Sequence, residues 1–170
     1  MKKRFVTVVA LIVTVCVSAL SACGQKYHAV FDEGSVLDRM AGSLFPEYLF
    51  DYEGGTFVIK TKADFDVLFS EERKARYNAF DGVLLGVSDF DMDDTYATTD
   101  FAKKMLIIYV FYDHSRIYFE MKKVKRSNRK LQIEFRRIPN SNAEAAMTHR
   151  CLVVTLDKLD IDSAEFVRVD

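Results

Sequence analysis

Tryptophan is absent from this chain, proline occurs twice and histidine three times in 170 residues. With only Pro46 and Pro139, a proline-rich or mucin-like stalk is excluded. His28, His114 and His149 are scattered, and no His-x-x-x-His, no Cys-x-x-Cys, no glycine-rich phosphate loop and no Gly-x-Ser-x-Gly elbow occurs. The motifs that announce a zinc hydrolase, a nucleotide-binding fold or a serine hydrolase are thus missing. A glycosidase pair is not identifiable among 25 acids. An excess of one charge is lacking too: 24 Lys and Arg face 25 Asp and Glu, a formal charge of −1, which argues against a nucleic-acid partner. No internal repeat or low-complexity stretch stands out.

Long hydrophobic runs are also scarce, and the one at the start is informative because it is short. Met1-Lys2-Lys3-Arg4 is positively charged, and Phe5 to Ala19 is an uncharged apolar run of 15 residues, below the roughly 20 needed to span a bilayer as a helix. Small residues then precede a cysteine in Leu20-Ser21-Ala22-Cys23. Charged start, apolar stretch and small-residue junction make a secretory signal peptide over residues 1–22. The tetrapeptide resembles the lipobox of bacterial lipoproteins. That resemblance implies that Cys23 is lipidated on its thiol and becomes the first mature residue, anchoring the protein outside the cytoplasm to a bacterial membrane. The alternative is an uncleaved anchor helix starting at Lys2, which leaves the cysteine after Leu-Ser-Ala as coincidence. A diacylglyceryl cysteine carries two chains on one residue, and two chains suffice for stable attachment.

Cleavage leaves 148 residues, Cys23 to Asp170, enough for one domain with a proper core. Lys2, Lys3 and Arg4 depart with the leader, so the charge moves from −1 to −4. Cys16 departs as well and Cys23 is consumed by lipid, so Cys151 stands alone and no intramolecular disulfide is available. Stability must come from burial, for which 14 Phe and eight Tyr supply a large aromatic payload.

Residues 23–55 read as the lipidated cysteine, a tether and a lead-in segment, the latter too apolar at Leu44-Phe45 and Tyr48-Leu49-Phe50 to be a solvated linker. A single α+β domain is expected over 56–170. Thr56 to Lys60 is a β-branched and aromatic strand. Phe65, Leu68 and Phe69 fall at i, i+3 and i+4, which predicts one main helix over about 62–77 with Thr61 as its N-cap. From Lys104 the period changes to two. Met105 to Tyr112 is nearly continuous apolar and suits a central strand covered on both faces. Arg116 to Val124 alternates with Ile117, Phe119 and Met121 inward; Lys130 to Arg136 alternates with Leu131, Ile133 and Phe135 inward. Cys151 to Leu156 is a further strand, and Glu165 to Val169 a last edge. Short connections imply hairpins and an antiparallel sheet of four or more strands.

Three segments carry a second resemblance: Lys60-Thr61-Lys62-Ala63-Asp64-Phe65, Asp100-Phe101-Ala102-Lys103-Lys104-Met105-Leu106-Ile107, and Cys151 to Lys158. Their order is similar to the C-terminal domain of protease-complex-subunit proteins, across roughly residues 56–158. The chain departs from that pattern at Asp113-His114-Ser115-Arg116, where the family has a Gly-Gly-Tyr turn, and at Arg150, where it tends to have proline. The resemblance implies a β-rich binding or accessory module and transfers no catalytic residue.

Three groups of residues invite a chemical reading. Asp89, Asp91 and Asp93 fall at positions 1, 3 and 5 of a calcium-loop pattern and Asp100 at position 12, a spacing that points alternate oxygens at one hard cation. Asp94 stands where that loop needs glycine, and Asp100 is shorter than the usual Glu. A solvated acidic loop is the plainer reading, and calcium is the one cofactor the chain suggests. Lys122, Lys123, Lys125, Arg126, Arg129, Lys130, Arg136 and Arg137 place eight cations in sixteen residues against Glu134 alone, whereas Asp81 to Asp100 holds six acids and no base. On a membrane-anchored protein such a hairpin lies against anionic headgroups, or else its charges simply protect a sheet edge. His149 and Cys151, two apart, share a face, but the apolar run around Cys151 points to an inert thiol rather than a nucleophile. No catalytic residue is assigned. The expectation is a membrane-anchored extracytoplasmic lipoprotein of the cell envelope, a binding or accessory module for an unknown envelope protein or ligand. The alternatives are an ion- or ligand-binding module using residues 89–100, and an enzyme of unidentified class.

Overall fold

The computed structural model describes residues 27, 29–33, 41–42, 44–48, 51–77, 94–114, 117–138 and 146–170. Among them, strands β1 (Ala29–Glu33), β2 (Gly55–Ile59), β3 (Lys104–His114), β4 (Tyr118–Ser127), β5 (Lys130–Ile138), β6 (Met147–Asp157) and β7 (Ser163–Arg168) form two sheets. One has the order β1-β6-β3-β2, the other β4-β5-β7. The fold is α+β, and every strand pair but one is antiparallel. No described helix is long and apolar enough to cross a membrane.

The uninterrupted apolar character of β3 follows from its position. It pairs with β6 over its whole length, from Lys104 opposite Asp157 to His114 opposite Met147. Leu106, Ile108 and Val110 face a layer of helices, while Met105 and Ile107, then Tyr109 and Phe111, face the second sheet. With both faces covered, Met105 through Phe111 are all buried, as expected for a strand without a solvent side. β6 repeats the arrangement, with Cys151 and Val153 toward the helices and Leu152, Val154 and Leu156 toward the sheet.

The helical layer starts at Thr61, whose Oγ1 accepts from Asp64 N at 3.0 Å while the Asp64 carboxylate accepts from Thr61 N at 2.9 Å. This capping box satisfies donors that a helix start leaves free. The helical stretch expected over 62–77 runs as two short helices, α1 (Lys62–Leu68) and α2 (Glu71–Tyr77). Phe69 caps α1 with ψ of 54° and drops wholly into the core, and Ser70 Oγ accepts from Arg73 N at 3.4 Å to begin the second turn. A further turn, α3 (Asp94–Ala97), buries Tyr96 against the same cluster.

Two features depart from the sequence reading. The last strand, β7, runs parallel to β5, Leu131 opposite Ala164. Arg129 explains this: its carbonyl accepts from Asp162 N at 2.6 Å, and its guanidinium holds Asp160 and Asp162 at 2.5 and 2.7 Å. The chain leaving β6 is thus drawn to the other sheet and enters it beside β5 rather than folding back on β6. The lead-in stretch also contributes a strand, since β1 pairs with β6; the full burial of Leu44 and Phe45, by contrast, accords with their apolar character.

In the second sheet the alternation is interrupted once. Met121 lies opposite Phe135 but Lys123 opposite Glu134, a register shift that leaves Lys122 as the extra residue of a bulge. Met121 and Val124 consequently both pack on the core. Asn128 closes the β4–β5 hairpin with φ of 53°, a conformation that asparagine tolerates in a tight turn.

Candidate functional site

The inward rows of three strands end in charge at the same end of the molecule. On β3 the row Tyr109, Phe111 continues to Asp113; on β5 Ile133, Phe135 continues to Arg137; on β7 Ala164, Phe166 continues to Arg168. Period two therefore carries one acid and two bases to the mouth of the space between the sheets. Asp113 is 5% exposed. Its Oδ1 accepts from the Arg137 guanidinium at 2.9 Å and from the His114 amide at 2.7 Å, and its Oδ2 accepts from Arg168 at 3.2 Å. A buried carboxylate needs such donors. Arg150, 4% exposed, donates to the carbonyls of His114 and Ile117 at 2.9 and 2.8 Å and lies over the Phe119 ring. It ties the ends of the β3–β4 connection together.

Above Asp113 opens a cleft of about 570 Å³, within the usual range for a small-molecule site. Aromatic rings form its walls. Tyr109 stacks on Phe166 with centroids 4.8 Å apart, and the exposed Tyr52 meets Tyr112 edge-on at 5.7 Å. Tyr109 donates its hydroxyl to the Glu53 carbonyl at 2.8 Å, and burial raises its pKa. The rim at 51–54 is fastened to β3: Asp51 accepts from the Glu53 and Gly54 amides, each at 3.0 Å, and its carbonyl accepts from Tyr112 N at 3.0 Å. Gly54 is required there. Its φ is +67°, and a Cβ would lie 2.0 Å from the Val110 carbonyl oxygen.

The residues singled out from sequence fall elsewhere. Asp89, Asp91 and Asp93, like Cys23, lie outside the described residues; Asp100 serves a turn, accepting from Ala102 N at 3.1 Å beside Lys103. The described residues hold no cluster of acids, histidines and cysteines suited to a metal ion. Lys122, Lys123, Lys125, Arg126, Arg129 and Lys130 are exposed on the hairpin, but most are matched. Lys122 meets Glu120 at 3.1 Å, Lys125 meets Glu134, Arg129 meets Asp160 and Asp162, and Lys130 meets Glu165 at 2.5 Å. Arg126 instead holds the Asn128 and Asp160 carbonyls at 2.9 and 2.7 Å. Cys151 is fully buried among Val110 and Val153, which removes it from any substrate in solution. His149, 8% exposed, packs edge-on against Tyr112 and under Gly42, and burial lowers its pKa.

Asp113 and Arg168 were not among the sequence candidates, and Arg137 figured there only as part of the basic hairpin. The readable signal was a charged residue in phase with a buried apolar row. A second depression, about 710 Å³, lies where β2 faces β7. Its charged groups are already committed: Asp64 to the helix cap, Arg73 to Glu47 and the Leu44 carbonyl, Asp162 to Arg129. No protein-family model, curated protein or solved structure matches the chain.

Proposed function

We propose that this chain is a lipid-anchored protein of a bacterial cell envelope, held by Cys23, whose domain works by binding rather than by catalysis. The observation that carries the anchor is Leu20-Ser21-Ala22-Cys23 following a charged start and a short apolar run. The cleft supports the binding half of the reading. It presents guanidiniums and aromatic rings, groups that grip a ligand, while its buried acid is engaged by two arginines and an amide. The resemblance of three segments to an accessory domain points the same way.

Metabolic labelling with a fatty acid, followed by membrane fractionation, tests the anchor. Wild type should be labelled and processed. Cys23→Ala should lose label and processing together, because both depend on the same thiol. A variant that is still processed and labelled normally would sink the reading.

A further inference from the structure

We infer that the cleft between Asp113, Arg137 and Arg168 binds a small organic anion: a carboxylate carried on a flat apolar body. The inference rests on the reading of this cleft as a binding site and adds the class of its ligand.

The first support is the charge arrangement. A guanidinium offers five N–H donors in a fixed fork. Arg137 spends one of its donors on Asp113, and so does Arg168. One carboxylate thus orients two cations and leaves one positive charge over. The remaining donors make no hydrogen bond among the described residues. Arg137 Nε is closed off from solvent, so the donors that a ligand can reach belong to the exposed parts of the two guanidiniums, on side chains 31% and 49% exposed. A carboxylate approaching those exposed donors meets them in the geometry that guanidinium favours. Glu53 also lines the cleft, but it is exposed at the rim and free to turn its carboxylate to water.

The second support is the wall. Tyr109 is stacked between Phe111 and Phe166, so that inner side presents ring edges, while the exposed Tyr52, with Tyr112 beside it on the rim, supplies ring surface against which a flat group can lie. An inorganic anion would use the arginines and ignore the rings; a neutral apolar molecule would do the opposite. Only a ligand with both parts uses the whole cleft.

Calorimetric titration of the full chain with three probes separates these cases: benzoate, its neutral counterpart benzamide, and acetate, which has the charge without the ring. Benzoate should bind saturably, and benzamide and acetate at least about tenfold more weakly. Arg168, half exposed at its side chain, is replaceable without unfolding, so Arg168→Gln should weaken benzoate roughly tenfold while melting near wild type. Tyr52→Ala, at a position 64% exposed, should weaken benzoate and leave acetate unchanged. Equal affinity for benzamide would overturn the anion while leaving the cleft as a binding site. No saturable binding of benzoate below about 10 mM, or undiminished binding to Arg168→Gln, would overturn the inference outright. None of these outcomes bears on attachment through Cys23, which the labelling experiment decides separately.

Discussion

His149 is a titratable side chain held where water scarcely reaches, and its Nε2 is buried without a hydrogen-bond partner among the described residues. Burial favours the neutral ring, so its pKa falls below the ordinary 6.5. On acidification the unfolded chain takes up this proton before the folded chain does. The contribution is therefore fully present above the unfolded pKa and is lost as pH falls through the folded value. Urea midpoints should drop between about pH 7 and pH 5, and His149→Leu should show a smaller drop over that interval. Parallel curves for the two proteins would mean that His149 is not a source of the acid sensitivity. The sequence placed His149 on one face with Cys151 and read the thiol as buried in an apolar run, and Cys151 is fully buried. It gave no sign that the histidine would pack against Tyr112, because that contact joins residues 37 apart in the chain (149 − 112).

At the scale of elements, periodicity carried most of the information. The alternation in β5 is legible because Leu131, Ile133 and Phe135 are fully or almost fully buried while their neighbours lie on the outer side. Phe135 meets Phe119, Tyr109 and Phe166 with ring centroids 5.8 to 6.0 Å apart. Phe135→Ala should accordingly cost about 3–5 kcal/mol, measured by urea unfolding. Glu134→Ala, which removes only a partner of Lys125 on the outer face, should cost under about 1 kcal/mol. Equal losses would show that the strand has no solvent side. What periodicity does not carry is partnership between distant segments. The parallel pairing of β7 depends on Arg129 reaching Asp160 and Asp162, and nothing local in residues 163–168 distinguishes a parallel neighbour from an antiparallel one. The cleft was hidden for a related reason. A lone Arg137 or Arg168 at a strand end reads as surface charge until topology brings both to Asp113.

For the whole molecule, the question is what its uneven charge does near a membrane. The block 122–137 looks unbalanced because most of its counter-charges lie outside those residues: Glu120 just before them, Asp160 and Asp162 in the crossover, Glu165 on β7. Each surface pair is worth little to stability, but together they cancel much of the field that a distant lipid headgroup would feel. Among the six hairpin cations singled out, Lys123 makes no ion pair among the described residues, and Arg126 is tied to carbonyls. Charge reversal at Lys125 or Arg126 would therefore break the fold's own contacts, whereas Lys123→Glu breaks no ion pair among the described residues, although it sets a second carboxylate opposite Glu134. Residues 24–170, lacking the lipid, should sediment only weakly with vesicles rich in anionic lipid, and that fraction should fall with salt, since attraction is screened within about 10 Å at 0.1 M. Lys123→Glu should lower it further. Firm, salt-sensitive binding that Lys123→Glu leaves intact would show that the internal pairs do not neutralise the hairpin, and that membrane contact extends well beyond the anchor.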